Sequence, residues 1–285
     1  MPLQLRIEAI RILHLPLLLR YTTIFAIVFT AVSCTTPSEA LRSKALELGY
    51  QEAHLTGANY DHIGFKHNSD SNKESLHIYL DGDGTPWLTR HIVADDPTPR
   101  NPVMLKLMQL DEQPSLYLGR PCYIRTKHTK ACHSAIWTDK RYSQQVVSSM
   151  TAALRVYLKG AQHKKLFFFG HSGGGTLAIL MAKEFPETVA IVTLAGNLDT
   201  GRWTTHHRFD NLSGSLNPAE MPPLPEHIPE FHYIGNNDTN ILPDFVTARS
   251  HTRKGIHITV LKNFDHSCCW QKIWPDVLQQ LDALR

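Results

Sequence analysis

The sequence lacks several features that would each indicate a particular class of protein. No apolar run is long enough for a transmembrane helix of about 20 residues, because Arg20 and nearby threonines interrupt the apolar N-terminal region. Basic and acidic residues nearly balance, 29 against 26, and no stretch concentrates the basic ones, which argues against a nucleic-acid partner. With 42% hydrophobic and 19% charged residues, the composition is that of a folded globular protein.

Residues 1–33 have the organisation of a secretory signal. Three arginines precede an apolar stretch at residues 24–32, and small residues follow it. Ala31-Val32-Ser33-Cys34 resembles a bacterial lipobox. We therefore expect cleavage before Cys34, a lipid on Cys34 and a place in the bacterial cell envelope. Thr35, which is not Asp, favours the outer membrane over the inner one. The alternatives are an ordinary cleaved signal, with secretion to the periplasm, or an uncleaved anchor.

Cysteine is scarce, and its number suits an exported protein. The chain has five cysteines, and a lipidated Cys34 leaves four that can pair in three ways in an oxidising compartment. The sequence does not choose among these pairings. Cys122 with Cys132 is the natural pair, since it would close a short polar loop. The adjacent Cys268 and Cys269 would then form either a vicinal disulfide or two free thiols.

The pattern of strands and helices predicts one α/β domain. A linker and short helix occupy residues 34–48, and two strand-like runs follow, joined by Thr56-Gly57-Ala58-Asn59. Strands then alternate with helices, which indicates a mostly parallel central sheet covered by helices on both faces. We assign the domain to residues 49–285. A segment rich in Pro, Gly and Ser at about residues 197–229 is too short for a second domain and reads as a cap or long loop.

The sharpest motif is Gly170-His171-Ser172-Gly173-Gly174, a G-x-S-x-G pattern between an apolar strand and an apolar helix. A nucleophile on a sharp strand-to-helix turn needs small neighbours so that the backbone can pack closely. We therefore predict Ser172 as the nucleophile and Gly170, His171 and Gly174 as the turn around it. The alternatives are a simple joining turn or a phosphate-binding loop, but the latter requires a Lys after the glycines, and none is present.

A serine nucleophile needs a base and an acid that orients the base. His266 follows the last predicted strand, in the loop position expected of the base. Asp238 lies just past the strand at residues 231–234 and is the predicted acid, with Asp199 as its rival. Asp265 is a solvated neighbour of the base, since adjacent residues seldom point to the same place. The order Ser172, Asp238, His266 is the one that accompanies this type of turn.

Two backbone N–H groups are predicted to bind a developing oxyanion. One belongs to Gly173, directly after the nucleophile, and the other to Asp83 in the Asp81-Gly82-Asp83-Gly84 loop after the third strand. The alternative for this loop is an Asp/Gly turn or a calcium-like site, but it offers too few carboxylates for calcium.

Four ring-bearing residues fall in segments predicted to be loops near the mouth of the site, where they line an acyl pocket or simply pack: Trp87, Trp203, His206 and His207. The adjacent histidines have no third ligand at a suitable spacing, so we expect no metal and no cofactor.

Together, Leu80-Asp81-Gly82, residues 170–174, Gly235-x-x-Asp238 and Phe264-Asp265-His266 resemble the α/β-hydrolase superfamily. The resemblance covers nearly the whole chain after residue 33. It implies an eight-stranded, mostly parallel sheet and hydrolysis of esters, thioesters or amides through an acyl-serine intermediate. The chain departs from many members at Asp81-Gly82, where they carry His-Gly, so the charge beside the oxyanion site differs.

The leading hypothesis is an exported serine hydrolase that cleaves small-molecule carboxylic esters or thioesters, of the esterase or lipase type. One alternative is a serine peptidase of the same fold, although no residue can be assigned to binding a peptide end. Another is a non-catalytic envelope binding protein, which would not need the full set of Ser172, Asp238 and His266.

Overall fold

The computed structural model describes residues 35–68, 72–125, 132–247, 249 and 253–284. The fold below belongs to the compact unit Pro37–Arg285. The predicted signal peptide and Cys34 lie outside the described residues, so both stay predictions. Within those residues no helix is long and apolar enough to span a membrane.

The strands of the main sheet are β1 (Gln51–Thr56), β2 (Asp61–His67), β3 (Ser75–Leu80), β6 (Ser115–Leu118), β7 (Lys165–His171), β8 (Thr188–Leu194), β9 (Glu230–Gly235) and β10 (Ile256–Leu261), and a separate hairpin consists of β4 (Trp87–Thr89) and β5 (Ile92–Val93). The main sheet has the order β1-β2-β6-β3-β7-β8-β9-β10. Pairing is antiparallel at β1–β2 and β2–β6 and parallel at every other pair. This eight-stranded, mostly parallel sheet confirms the predicted fold class.

The α-helices that accompany the sheet are α1 (Pro37–Glu47), α2 (Val103–Leu107), α3 (Gln144–Leu158), α4 (Gly173–Ala182), α5 (Thr200–His207), α6 (Pro243–Thr247) and α7 (Trp274–Asp282). Every residue of α4 is buried, and so is every residue of β3. Strands and helices buried on all sides read as continuous apolar runs, which is why the sequence pattern located this part of the core.

The order of the strands brings two loops together. Leu80, the last residue of β3, pairs with Gly170 near the end of β7. The Asp81-Gly82 loop and the turn at Ser172 therefore leave the sheet side by side at its carboxyl edge, where open α/β sheets bind their ligands.

Helix α4 begins at Gly173, directly after Ser172. The segment at about residues 197–229, predicted to be a cap or long loop, contains α5 and a short 3₁₀ helix (Pro218–Glu220). The side chain of Asp199 accepts a hydrogen bond from the Arg202 N–H and so caps the start of α5.

Candidate active site

Ser172 lies on the turn between β7 and α4 in a strained backbone conformation. Its φ is 53° and its ψ is −122°, a region that non-glycine residues rarely adopt. The Ser172 N–H donates to the Leu194 carbonyl at 3.0 Å, which ties the turn to the neighbouring strand. A Cβ on Gly170 would lie 2.3 Å from the Gly174 carbonyl oxygen, and one on Gly174 would lie 2.0 Å from that of Leu80. The glycines are therefore required by close backbone contacts.

The structure brings Ser172, His266 and Asp238 into one hydrogen-bonded chain. The Ser172 hydroxyl donates to His266 Nε2 at 3.0 Å, and His266 Nδ1 donates to Asp238 Oδ2 at 2.8 Å. Asp238 is only 2% exposed. Its other oxygen, Oδ1, accepts the backbone N–H groups of Asn240 at 2.8 Å and Ile241 at 2.9 Å. Both oxygens of the carboxylate are thus engaged, and its orientation is fixed.

The two other candidate acids do not bond to the base. Asp199 Oδ1 accepts the Arg202 N–H at 3.0 Å and serves as the cap of α5. Asp265 is exposed and accepts the two backbone N–H groups that follow His266, and these hydrogen bonds lower the pKa of its carboxyl group. The geometry therefore separates Asp238 from its rivals, which the sequence did not.

His171 contacts His266 from the opposite side. Its Nε2–H donates to the His266 carbonyl at 2.7 Å, and the Trp270 indole N–H donates to the same oxygen at 3.2 Å. Burial, with a smaller contribution from the nearby His266, lowers the pKa of His171 to about 3. The imidazole is therefore neutral near pH 7, and its proton is on Nε2 because a carbonyl oxygen can only accept.

Residues 81–84, named here the oxyanion loop after the predicted role of this loop, run beside Ser172. A Cβ placed on Gly82 would lie 3.3 Å from Ser172 Cβ. Gly173 is the first residue of α4, so its N–H has no acceptor within the helix. The Asp83 N–H makes no hydrogen bond to any other residue in the part of the chain that the structure describes. Among the described residues, therefore, neither predicted oxyanion donor has an acceptor.

Asp81, which stands where the resemblance led us to expect His, has a structural role in the oxyanion loop. Its side chain is buried, and Oδ1 accepts the Gly82 N–H at 3.0 Å. Oδ2 accepts the Met104 N–H, near the start of α2, at 3.2 Å. Burial raises the pKa of Asp81 to about 6. Asp81 thus fastens the oxyanion loop to α2.

A cluster that the sequence did not reveal surrounds the Asp83 carboxylate. Arg120 and Arg141 lie 2.8 and 2.9 Å from its oxygens, and the Tyr142 hydroxyl donates to it at 2.6 Å. Burial alone would raise the pKa of Asp83, but the two guanidinium groups and Tyr142 outweigh burial and lower the pKa to about 2. The Tyr123 hydroxyl donates to the Asp83 carbonyl at 2.9 Å. The two cations neutralise the Asp83 carboxylate, while Asp81 contributes a second carboxylate to the same loop.

A cleft of about 1140 Å³ opens over these residues, and Ser172 lines it. Trp87 on β4 and Trp203 on α5 also line the cleft, whereas His206 and His207 are not among its lining residues. The prediction that these four residues lie in loops was wrong, since β4 and α5 carry them.

Asn240 is a further residue near His266 that the sequence did not single out. Its Nδ2 lies 3.1 Å from His266 Nε2, and its Oδ1 accepts the Trp203 indole N–H at 3.1 Å. Its carbonyl accepts a hydrogen bond from His207 Nε2 at 2.8 Å. Asn240 also lines the cleft. Its position two residues after the predicted acid was the only available sequence signal.

Both cysteine pairs are disulfide-bonded. Cys122 is joined to Cys132, as expected, and Cys268 is joined to Cys269 as a vicinal pair. The vicinal pair follows His266 by two residues. Among the described residues no group of three or more His, Cys, Asp or Glu side chains could hold a metal ion.

Solved structures share this fold. The chain is similar to an esterase of Pyrococcus furiosus, with a TM-score of 0.59 and 15% identity over 89% of this chain and 95% of that one. It is similar to an α/β serine hydrolase without a lid from Xanthomonas campestris, with a TM-score of 0.52 and 14% identity over 82% and 92% of the two chains. It is also similar to the acylaminoacyl peptidase of Pyrococcus horikoshii, with a TM-score of 0.55 and 11% identity over 82% and 42%.

No protein-family model matches the sequence, and neither does any curated protein. The similarity to solved structures, at such low identity, establishes the α/β-hydrolase fold and leaves the reaction to be argued from the site.

Proposed function

We propose that the protein is a serine hydrolase that cleaves carboxylic esters, or thioesters, through an acyl-Ser172 intermediate. One observation carries the proposal. Ser172 Oγ, His266 and Asp238 form a hydrogen-bonded chain with distances of 3.0 and 2.8 Å, at the wall of an open cleft. This arrangement of nucleophile, base and orienting acid is what acyl transfer requires.

The reaction follows from the positions of these groups. As Ser172 Oγ attacks the acyl carbon, His266 Nε2 takes its proton, and the Asp238 carboxylate stabilises the imidazolium that forms. The N–H groups of Gly173 and Asp83 donate to the oxyanion. His266 then gives the proton to the leaving group, and water activated by the same base releases the acyl group from Ser172.

The surroundings of the oxyanion loop support this assignment. A carboxylate next to a developing negative charge would oppose catalysis, but the Asp83 carboxylate is neutralised by Arg120 and Arg141. Charges interact strongly in a site of low dielectric constant, so neutralising the Asp83 carboxylate removes a repulsion that would act against the oxyanion. The Asp83 side chain thereby holds its own N–H in place without repelling the oxyanion.

A serine peptidase is the second candidate. The similarity to the acylaminoacyl peptidase of Pyrococcus horikoshii favours it, although this chain covers only 42% of that protein. Ester cleavage ranks higher because the similar esterase of Pyrococcus furiosus is covered over 95% of its length.

Activity assays distinguish these candidates. Wild-type protein, Ser172→Ala and His266→Ala are tested on p-nitrophenyl esters of increasing acyl length and on peptide p-nitroanilides. His257→Ala is the matched control, because His257 is exposed on β10 and stacks on Phe231. We expect ester turnover in the wild type and in His257→Ala, and a loss of about 10⁴-fold or more in the other two variants. Turnover of the peptide substrates alone would establish the peptidase, and no Ser172-dependent turnover of either class would refute the proposal.

We also propose that the protein is exported and carries a lipid on Cys34, which anchors it in the cell envelope, with the outer membrane favoured and release to the periplasm as the alternative. The signal-like pattern of residues 1–33 and the two disulfides support export. Membrane fractionation of wild type and Cys34→Ser tests the anchor. We expect the variant to leave the membrane fraction, and equal distribution of the two proteins would contradict lipidation.

A further inference from the structure

Asn240 lies where a leaving group must receive its proton. Its Nδ2 is 3.1 Å from His266 Nε2, the same atom that accepts the Ser172 hydroxyl at 3.0 Å. Asn240, Ser172 and His266 all line the cleft. The amide group therefore faces the atoms that exchange protons during the proposed reaction.

The orientation of the Asn240 amide is fixed by its partners. The Trp203 indole N–H can only donate, so the atom 3.1 Å from it is Oδ1 and the group facing His266 is the NH₂. His266 Nδ1 bonds to the Asp238 carboxylate, which accepts, so the imidazole proton is on Nδ1 and Nε2 is bare. Asn240 and the Ser172 hydroxyl therefore share the single lone pair of Nε2 as competing donors.

The backbone of Asn240 is held as firmly as its side chain. Its N–H donates to Asp238 Oδ1 at 2.8 Å, and its carbonyl accepts from His207 Nε2 on α5 at 2.8 Å. With Trp203 also on α5, one helix fixes both the peptide group and the amide. The NH₂ group cannot turn away from His266 without losing the bond to Trp203.

Proton transfer changes what this amide can bond to. Once His266 Nε2 has taken the Ser172 proton, two donors, Nε2–H and the Asn240 NH₂, face each other with no acceptor between them. An atom with two lone pairs satisfies both donors, since one pair can take the proton and the other can accept the amide hydrogen bond. The leaving oxygen of an ester is such an atom.

We propose that Asn240 is a leaving-group residue that donates a hydrogen bond to the departing oxygen and so selects esters over amides. This inference rests on the proposed function. When the tetrahedral adduct collapses, the bond from carbon to the leaving oxygen breaks and its electron pair passes to that oxygen. The oxygen takes the proton from His266 Nε2, the carbonyl re-forms, and the acyl group stays on Ser172.

The leaving nitrogen of an amide substrate cannot accept the hydrogen bond from Asn240. The nitrogen of an amide adduct has a single lone pair, which the incoming proton consumes, and its own N–H is another donor. Asn240 then faces no acceptor, and an unpaired polar group in a desolvated site is unfavourable. Amide cleavage therefore gains nothing from Asn240.

Three matched substrates test the inference: p-nitrophenyl butyrate, benzyl butyrate and N-benzylbutyramide. The nitrophenolate leaves without needing a proton, whereas the benzyl alkoxide needs one. In Asn240→Ala we expect kcat/KM to fall about tenfold or more for benzyl butyrate and less than about threefold for p-nitrophenyl butyrate. We also expect that any turnover of the amide does not fall. Asn237→Ala, on an exposed residue of the same loop, is the control and should match the wild type on all three substrates.

Asn240→Asp tests the direction of the hydrogen bond without changing the size of the side chain. A carboxylate still accepts from Trp203, but it favours a proton on Nε2, so we expect both esters to be cleaved about 100-fold more slowly. Equal losses on the two esters in Asn240→Ala, or near wild-type cleavage of benzyl butyrate by either variant, would overturn the leaving-group role. Absence of Ser172-dependent hydrolysis by the wild type would instead refute the proposed function.

Discussion

Replacement of Asp238 by asparagine should disable the base while leaving the fold intact. Asp238 Oδ1 accepts two backbone N–H groups, from Asn240 and Ile241, and Oδ2 accepts one imidazole N–H from His266. An amide has a single oxygen, and two fixed backbone donors compete for it against one side chain. In Asp238→Asn the oxygen therefore takes the place of Oδ1, and the NH₂ group faces His266 Nδ1.

The consequence is a change of tautomer. A donor opposite Nδ1 requires that Nδ1 be bare, so the imidazole proton moves to Nε2, where it faces the Ser172 hydroxyl. The base can no longer accept the proton of the nucleophile. The corresponding change in a well-studied Ser-His-Asp hydrolase lowers kcat by about 10⁴-fold, which is about 5.4 kcal/mol of transition-state stabilisation. We expect a loss of the same order here.

Two assays check this prediction together. The kcat for p-nitrophenyl butyrate should fall about 10⁴-fold. The free energy of unfolding in urea should change by less than about 2 kcal/mol, because the substitution keeps the shape of the side chain. A folded Asp238→Asn protein with kcat within about tenfold of the wild type would refute the assignment of Asp238 as the orienting acid.

Three further predictions concern the groups around the nucleophile. Arg141→Met removes one cation from the Asp83 cluster and should lower kcat for esters by about 10²-fold with little change in KM. Arg141→Lys should recover part of this loss, and an unchanged kcat in Arg141→Met would contradict the role of the cluster. Gly174→Ala places a methyl group 2.0 Å from the backbone oxygen of Leu80 and should reduce the free energy of unfolding in urea by about 3 kcal/mol or more. A loss below about 0.5 kcal/mol would show that α4 can shift to make room for the methyl group. The pKa of His171 is lowered to about 3 in the native state, whereas in the unfolded chain it has the ordinary value of about 6.5. As the pH drops below about 6.5, the unfolded chain therefore binds the proton first and the free energy of unfolding decreases. Between about pH 7 and pH 4.5 the wild type should therefore lose roughly 2–3 kcal/mol more than His171→Gln in urea titrations, and equal losses would contradict the buried neutral state.

The parts of the fold that could be predicted are those governed by local patterns. The buried strand β7 and helix α4 are continuous apolar runs, and the glycines between them mark the turn at Ser172. Their chain order then located His266 and Asp238. The sequence favoured Asp238 but left Asp199 as a rival, because both follow strands. It depends on α5, whose Thr, Gly and His residues have low helix propensity and whose start relies on the Asp199 cap.

The rest of the site depends on contacts between distant parts of the chain. Asp83 bonds to Arg141 and Tyr142, which are 58 and 59 residues away, and no local spacing predicts such a pairing. Asn240 acquires its orientation from Trp203, 37 residues away, on a helix that was itself not predicted. The charge pairs around Asp83 and the orientation of the Asn240 amide depend on tertiary contacts, so they can be assigned only once the fold is known.

The most direct test of the central claim is the labelling of the nucleophile. The wild-type protein, Ser172→Ala and His266→Ala are incubated with a fluorophosphonate probe, and the modified residue is mapped by mass spectrometry. We expect modification of Ser172 in the wild type and none at that site in either variant, because the hydroxyl reacts only when His266 takes its proton. A folded wild-type protein that is not labelled, or that is labelled at another residue, would contradict the account.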